Sequence, residues 1–137
     1  MKRVTCALSL AAVMVAFAFA TNSNGADEPA TIKAIMGKLT KGPASASGKL
    51  KTAVKHEPPA WAEIKTAAEA FEKYGPDMPK NEAPKGDQAD YVKLAIAFAT
   101  NSKDLATAAA KEDLAGVNAA FGKISSSCMT CHKAHKR

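Results

Sequence analysis

Aromatic residues are scarce: one Trp, two Tyr and five Phe in 137 residues. A core must then be built largely from Ala, Leu, Ile and Val, and an Ala-rich chain with little β-branching favours helix. Polar and apolar residues do not alternate over a strand's length after the first twenty positions, so no sheet is expected. There is no internal repeat and no low-complexity tract beyond the alanine bias. Paired carboxylates, a nucleophile–base pair and a phosphate-cradling glycine loop are all missing, so the chain is expected not to be an enzyme. Its length excludes a TIM barrel or a two-domain dehydrogenase and leaves one domain, or one domain and a tail. Its composition excludes collagen, mucin and disordered-tail classes. Cysteine is rare as well: Cys6, Cys128 and Cys131 are the full set.

The first of these cysteines belongs to a separate segment. Lys2-Arg3 is a short basic start, and Val4 to Ala20 carries no charge and is mostly apolar. Ala18-Phe19-Ala20 fits a small-x-small cleavage site, with Asn24-Gly25-Ala26 as a second option. The pattern is that of a secretory signal peptide. The rival is an uncleaved anchor, for which the stretch lies at the lower limit of a span; the polar run Thr21 to Asp27 that follows at once favours cleavage. No lipobox ends at Cys6. The expected organisation is a signal peptide over 1–20, cut as late as 26, then one domain over 28–137, exported to the periplasm with no stable membrane span.

Cleavage removes Lys2 and Arg3 from a chain of formal charge +6 and leaves a mildly basic protein whose cysteines are Cys128 and Cys131. In an oxidising compartment a cysteine pair defaults to a disulfide unless something else claims it. So mild a charge does not argue for nucleic acid, and export argues against it. A basic face for an acidic protein partner remains open.

The remaining chain reads as helices. Ile32, Ile35, Met36 and Leu39 follow i, i+3, i+4, i+7. Gly42-Pro43 interrupts the pattern, which resumes with Ala46, Leu50 and Val54, so residues 29–55 form one kinked helix or two short ones. Pro58-Pro59 opens a unit whose face is Trp61, Ile64, Ala68 and Phe71 and which Gly75-Pro76 ends. Residues 75–86 read as an ordered surface loop. Asp87 is a candidate N-cap for a stripe of Tyr91, Leu94, Ala95, Phe98, Ser102, Leu105 and Ala109. Asp113 is a second, before Leu114, Val117, Phe121, Ile124, Cys128, Cys131 and His135. Helical stretches joined by short connections predict an all-α, antiparallel four-helix bundle.

Cys128-Met129-Thr130-Cys131-His132 is a C-x-x-C-H run, the signature of c-type haem attachment. Each of two thiols must add to one haem vinyl group, and an i, i+3 spacing puts both sulfurs on one side of a helix. The next residue, His132, can then turn an imidazole nitrogen toward iron. Three other readings compete. A structural zinc needs four ligands, and the candidates beyond the pair are His56, His132, His135 and carboxylates. A thioredoxin-like redox pair sits where a strand enters a helix, and no strand precedes Cys128. A disulfide across one helical turn closes so small a loop that it staples almost nothing.

The motif lies at the C-terminal end of the last of four helices. That combination resembles the class II c-type cytochromes, the cytochrome c prime family and its low-spin relatives, over residues 28–137. After the histidine the family pattern has two variable residues, an aromatic and a basic residue; here Lys133-Ala134 are followed by His135 and Lys136, so histidine replaces the aromatic. The resemblance implies one haem c joined through two thioethers to Cys128 and Cys131 and lying near the C-terminal helix, with His132 as proximal iron ligand and the opposite face meeting the first helix. Low-spin members supply a methionine there; high-spin members block the site with a bulky apolar residue and bind gases such as NO or CO.

Met36 is the candidate sixth ligand, although a methionine on an apolar helical face is ordinarily a core filler. Met78 and His56 are weaker alternatives. Met129, between the cysteines, is excluded from the distal face. His135, one turn beyond His132, reads as a propionate or solvent contact or as a packing residue. Lys133, Lys136 and Arg137 flank the motif and are candidates for docking an acidic redox protein. The expected function is one-electron transfer by a mono-haem cytochrome; the alternative is a five-coordinate haem that takes up a diatomic gas. The resemblance also allows a homodimer through apolar surface on the first two helices.

Overall fold

The computed structural model describes residues 28–136. The expected signal peptide and its candidate cleavage sites lie outside the described residues. Five α-helices and one 3₁₀ turn make up the regular structure among them: α1 Ile32–Thr40, α2 Ala46–Ala53, α3 Trp61–Tyr74, the turn Gly75–Lys80, α4 Gln88–Ala110 and α5 Leu114–His135. No strand occurs among the described residues. The fold is the all-α four-helix bundle expected, with α1 and α2 together forming its first leg.

Side-chain caps set where four of the helices begin. Thr31, Ser45, Asp87 and Asp113 each accept a hydrogen bond from the backbone N–H three residues on, which satisfies one of the amides a helix start leaves open. The first leg breaks into two short helices rather than kinking. Gly42 turns the chain at φ +82°, a conformation glycine adopts without penalty. The Ser45 hydroxyl then donates to the Gly42 carbonyl at 2.6 Å and accepts from Gly48 at 3.2 Å, restarting the helix.

Phe71 is the hub of the core. Its ring lies 6.3 Å from that of Phe98 and 6.2 Å from that of Phe121, so α3, α4 and α5 meet at one aromatic cluster. Tilted and edge-on rings at such spacing suit the charge distribution of aromatic faces. Around it Leu105, Val117, Ile64 and Leu50 are fully buried. The small side chains Ala67, Ala68, Ala95 and Ala109, also buried, let the helices approach closely.

One segment differs from the sequence-based expectation. Residues 75–80 are a 3₁₀ turn, not a surface loop, and Met78 within it is buried. The Tyr91 hydroxyl, itself buried, donates to the Met78 carbonyl at 2.9 Å and holds this turn against α4. Pro76 and Pro79 lack amide protons, so the segment cannot extend as an α-helix.

Candidate functional site

A cavity of about 600 Å³ opens at one end of the bundle, within the range of roughly 300–1,000 Å³ usual for bound cofactors. Three walls define it. Cys128, Cys131 and His132 come from α5; Tyr91, Leu94, Ala95 and Phe98 from α4; Ile32, Met36 and Gly37 from α1. The lining is mostly apolar. Met78 reaches it from the 3₁₀ turn.

The α5 wall follows from the stripe read in the sequence. Cys128 and Cys131 are half-buried, His132 stands exposed at the lip, and Met129 points away, 65% exposed. Both thiols are free. Burial pushes both up from the usual thiol range, helped by Cys131 acting on Cys128 and by Asp90 acting on Cys131, while Lys51 pulls Cys128 partly back. A dithiol redox site depresses a cysteine pKa to make a reactive thiolate; here the shift runs the other way. Among the described residues no three His, Cys, Asp or Glu side chains converge as a metal cage would require.

Of the roles expected of His135, packing is the one its burial shows, and the ring also borders the cavity. It is buried at 3% exposure. One ring nitrogen lies 2.8 Å from the Lys85 carbonyl and the other 3.3 Å from an Asp90 carboxylate oxygen. Its ring meets Tyr91 edge-on with centroids 5.6 Å apart. It therefore does what the family's aromatic would do by packing, and adds polar ties to the loop before α4. That loop passes close: a Cβ on Gly86, whose φ is +80°, would lie 3.2 Å from the Ala134 carbonyl and from the His135 ring. Burial pushes the neighbouring Tyr91 hydroxyl up to about 12.

The α1 wall is held differently. α1 packs on α2, α3 and the 3₁₀ turn, and none of its Cα atoms lies within 8 Å of α4 or α5. Ile35 and Leu39 anchor it in the core, while Met36, half-buried, faces the cavity. Just before α1, the Ala30 N–H donates to Asp77 at 3.0 Å, and the Asn81 side-chain amide donates to the Ala30 carbonyl at 3.0 Å. Lys80 at 2.8 Å and the Ala30 amide hold the Asp77 carboxyl below its ordinary value of 3.8.

These residues fit a haem c. Two thiols one turn apart share a wall with an adjacent imidazole, and the Met36 thioether lines the α1 wall. The backbones of those walls stay apart, and a Cβ added at Gly37 meets nothing within 4 Å, so the space between them is free for a flat group. His56 is exposed and lies outside the cavity. Sequence reasoning missed Asp90, Lys85 and the Asp77–Asn81 clasp, since each acts on a residue 45 or more positions away.

No helix among the described residues is long and apolar enough to cross a membrane. No characterised protein and no solved structure gives a significant match to the chain. The family model described as Cytochrome C' matches residues 33–136, from the first turn of α1 to the residue after α5. That span takes in both walls of the cavity, and the chain belongs to the cytochrome C' family of haem c-binding helical cytochromes.

Proposed function

We propose that this protein is an exported mono-haem cytochrome that carries single electrons, and that it is not an enzyme. Cys128 and Cys131 would hold the haem through two thioethers, and His132 and Met36 would ligate its iron. When bound, the haem supplies an iron that cycles between ferric and ferrous states, and a methionine sulfur opposite an imidazole raises its potential. The chain's own residues do the rest. α4 shields one side from water with Tyr91, Leu94 and Phe98. The clasp at Ala30 sets where α1 presents Met36. The observation that carries the reading is Met36 on the cavity wall facing the C-x-x-C-H helix, across a gap no backbone closes. Export rests on the signal-like first twenty residues.

A second reading, a five-coordinate site for NO or CO, is favoured by the open space at Gly37 beside Met36. Absorption spectra of the haem-loaded protein with and without CO separate the two. A low-spin spectrum that CO leaves unchanged, and that becomes high-spin and CO-binding in Met36→Ala, supports electron transfer with methionine ligation. A wild-type spectrum that is already high-spin and shifts at once with CO supports the gas-binding reading instead.

A further inference from the structure

Charge is divided unevenly between the legs of the bundle. Between Glu28 and Glu57 there is no acidic residue, and Lys33, Lys38, Lys41, Lys49, Lys51 and Lys55 all fall there. From Glu57 to Arg137, eleven basic and eleven acidic residues balance. The α1–α2 leg therefore carries the whole charge excess of the domain to which it belongs. All six lysines are exposed. Among the described residues none has a carboxylate within ion-pair reach; the Lys–carboxylate pairs there are Lys65 with Glu112 and Lys80 with Asp77.

This positive leg borders the cavity. Lys33 and Lys41 line it. The basic end of α5 is different in kind. Lys136 also lines the cavity, but at that end an Asp90 carboxylate oxygen lies 3.3 Å from His135. So the field at the α5 end is of mixed sign, while α1–α2 presents one sign only.

We propose that the exposed face of α1–α2 is the surface on which an acidic redox protein docks, bringing its own redox group to the cavity mouth. This rests on the electron-transfer reading. A uniform field of this kind steers an oppositely charged partner and orients it on arrival. A membrane is the rival anionic surface, but interfacial helices bury large apolar side chains alongside their basic ones. The large exposed apolar residues here are Ile96 and Met129, on α4 and α5; α1–α2 has none.

The test uses the haem-loaded protein in its ferrous state, which gives one electron to hexacyanoferrate(III), forming ferric protein and hexacyanoferrate(II). The variant K38E/K51E/K55E reverses three lysines of the face that do not line the cavity. K103E/K111E/K123E makes the same change in net charge elsewhere. At low salt the face variant is expected to react roughly tenfold or more slowly and the control less than about twofold, with the difference vanishing at high salt. Equal slowing in both overturns a localised surface.

A second readout is independent of electron flow. Decaglutamate should shift backbone amide resonances of α1–α2 and lose this effect in the face variant. Shifts spread over the bundle, or centred on residues 133–136, overturn the proposal. A wild type that gives no electron to hexacyanoferrate overturns the electron-transfer reading, and the decaglutamate map then decides the surface by itself. Retention on phosphatidylglycerol vesicles at a salt concentration that releases decaglutamate overturns a protein partner in favour of a membrane.

Discussion

α5 and α1 form opposite walls of one cavity and are built to different standards. α5 runs 22 residues, is capped by Asp113, and is tied to α3 through Phe121, whose ring meets Phe71, and to α4 through His135 and Asp90 at its far end. α1 runs nine residues, buries Ile35 and Leu39, and depends on the Ala30 clasp for its entry point. The heavily built wall carries the groups that must not move relative to one another: two thiols and an imidazole with a fixed helical offset. The lightly built wall carries a single sulfur. Under the proposed function, covalent anchoring would need geometry fixed in advance, whereas ligation by Met36 would depend on how that one helix is seated. The two walls should therefore be separable by mutation.

Substitutions in the two regions should separate accordingly. Phe71→Ala removes the ring shared by three helices and is expected to cost about 3–5 kcal/mol of global stability, read as a cooperative fall in the denaturant midpoint. A loss confined to one helix by hydrogen exchange would break the idea of a single rigid frame. His135→Ala deletes a buried ring with two polar partners and should cost roughly 2 kcal/mol. It should loosen the Lys85–Asp87 loop in amide exchange while Met36 ligation persists. Asp77→Ala opens the clasp, for roughly 1 kcal/mol. Its signature is faster amide exchange in α1 alone, with the protection of α4 and α5 unchanged.

The smallest effect is in pH. The Asp77 carboxyl is held below 3.8 in the folded chain, so its stabilising contribution is complete above that value and is lost as pH falls through the folded pKa. Protection of α1 should thus weaken in that acid range before the α3–α5 frame opens, and Asp77→Ala should remove this α1-specific step. Simultaneous loss of protection in all helices, unaltered by the substitution, would erase the distinction between the walls.

Much of this was legible from spacing alone. Offsets of three and four placed Ile35, Met36 and Leu39 on one face and aligned Cys128 with Cys131. Asp87, Asp113 and the break at Gly42-Pro43 followed from what those residues do to backbone amides and φ angles. What stayed hidden depends on where the chain returns in space. Met78 looked like part of a proline-rich surface loop because its burial comes from Tyr91, whose hydroxyl grips the turn from α4. His135 gave no sign of its partners, since Lys85 and Asp90 reach it only once α4 and α5 are antiparallel. The light seating of α1 was equally invisible, because periodicity shows that a helix buries a face and not what it is buried against.

The central claim is that both sulfurs of α5 are bonded to one haem. Intact-mass measurement of the protein purified from a host with c-type haem maturation machinery tests it most directly. The account predicts the mature chain plus one haem, a Soret band that survives denaturation, and no thiol that reacts with an alkylating reagent. A colourless protein of unmodified mass, with Cys128 and Cys131 both alkylated after denaturation, would contradict it.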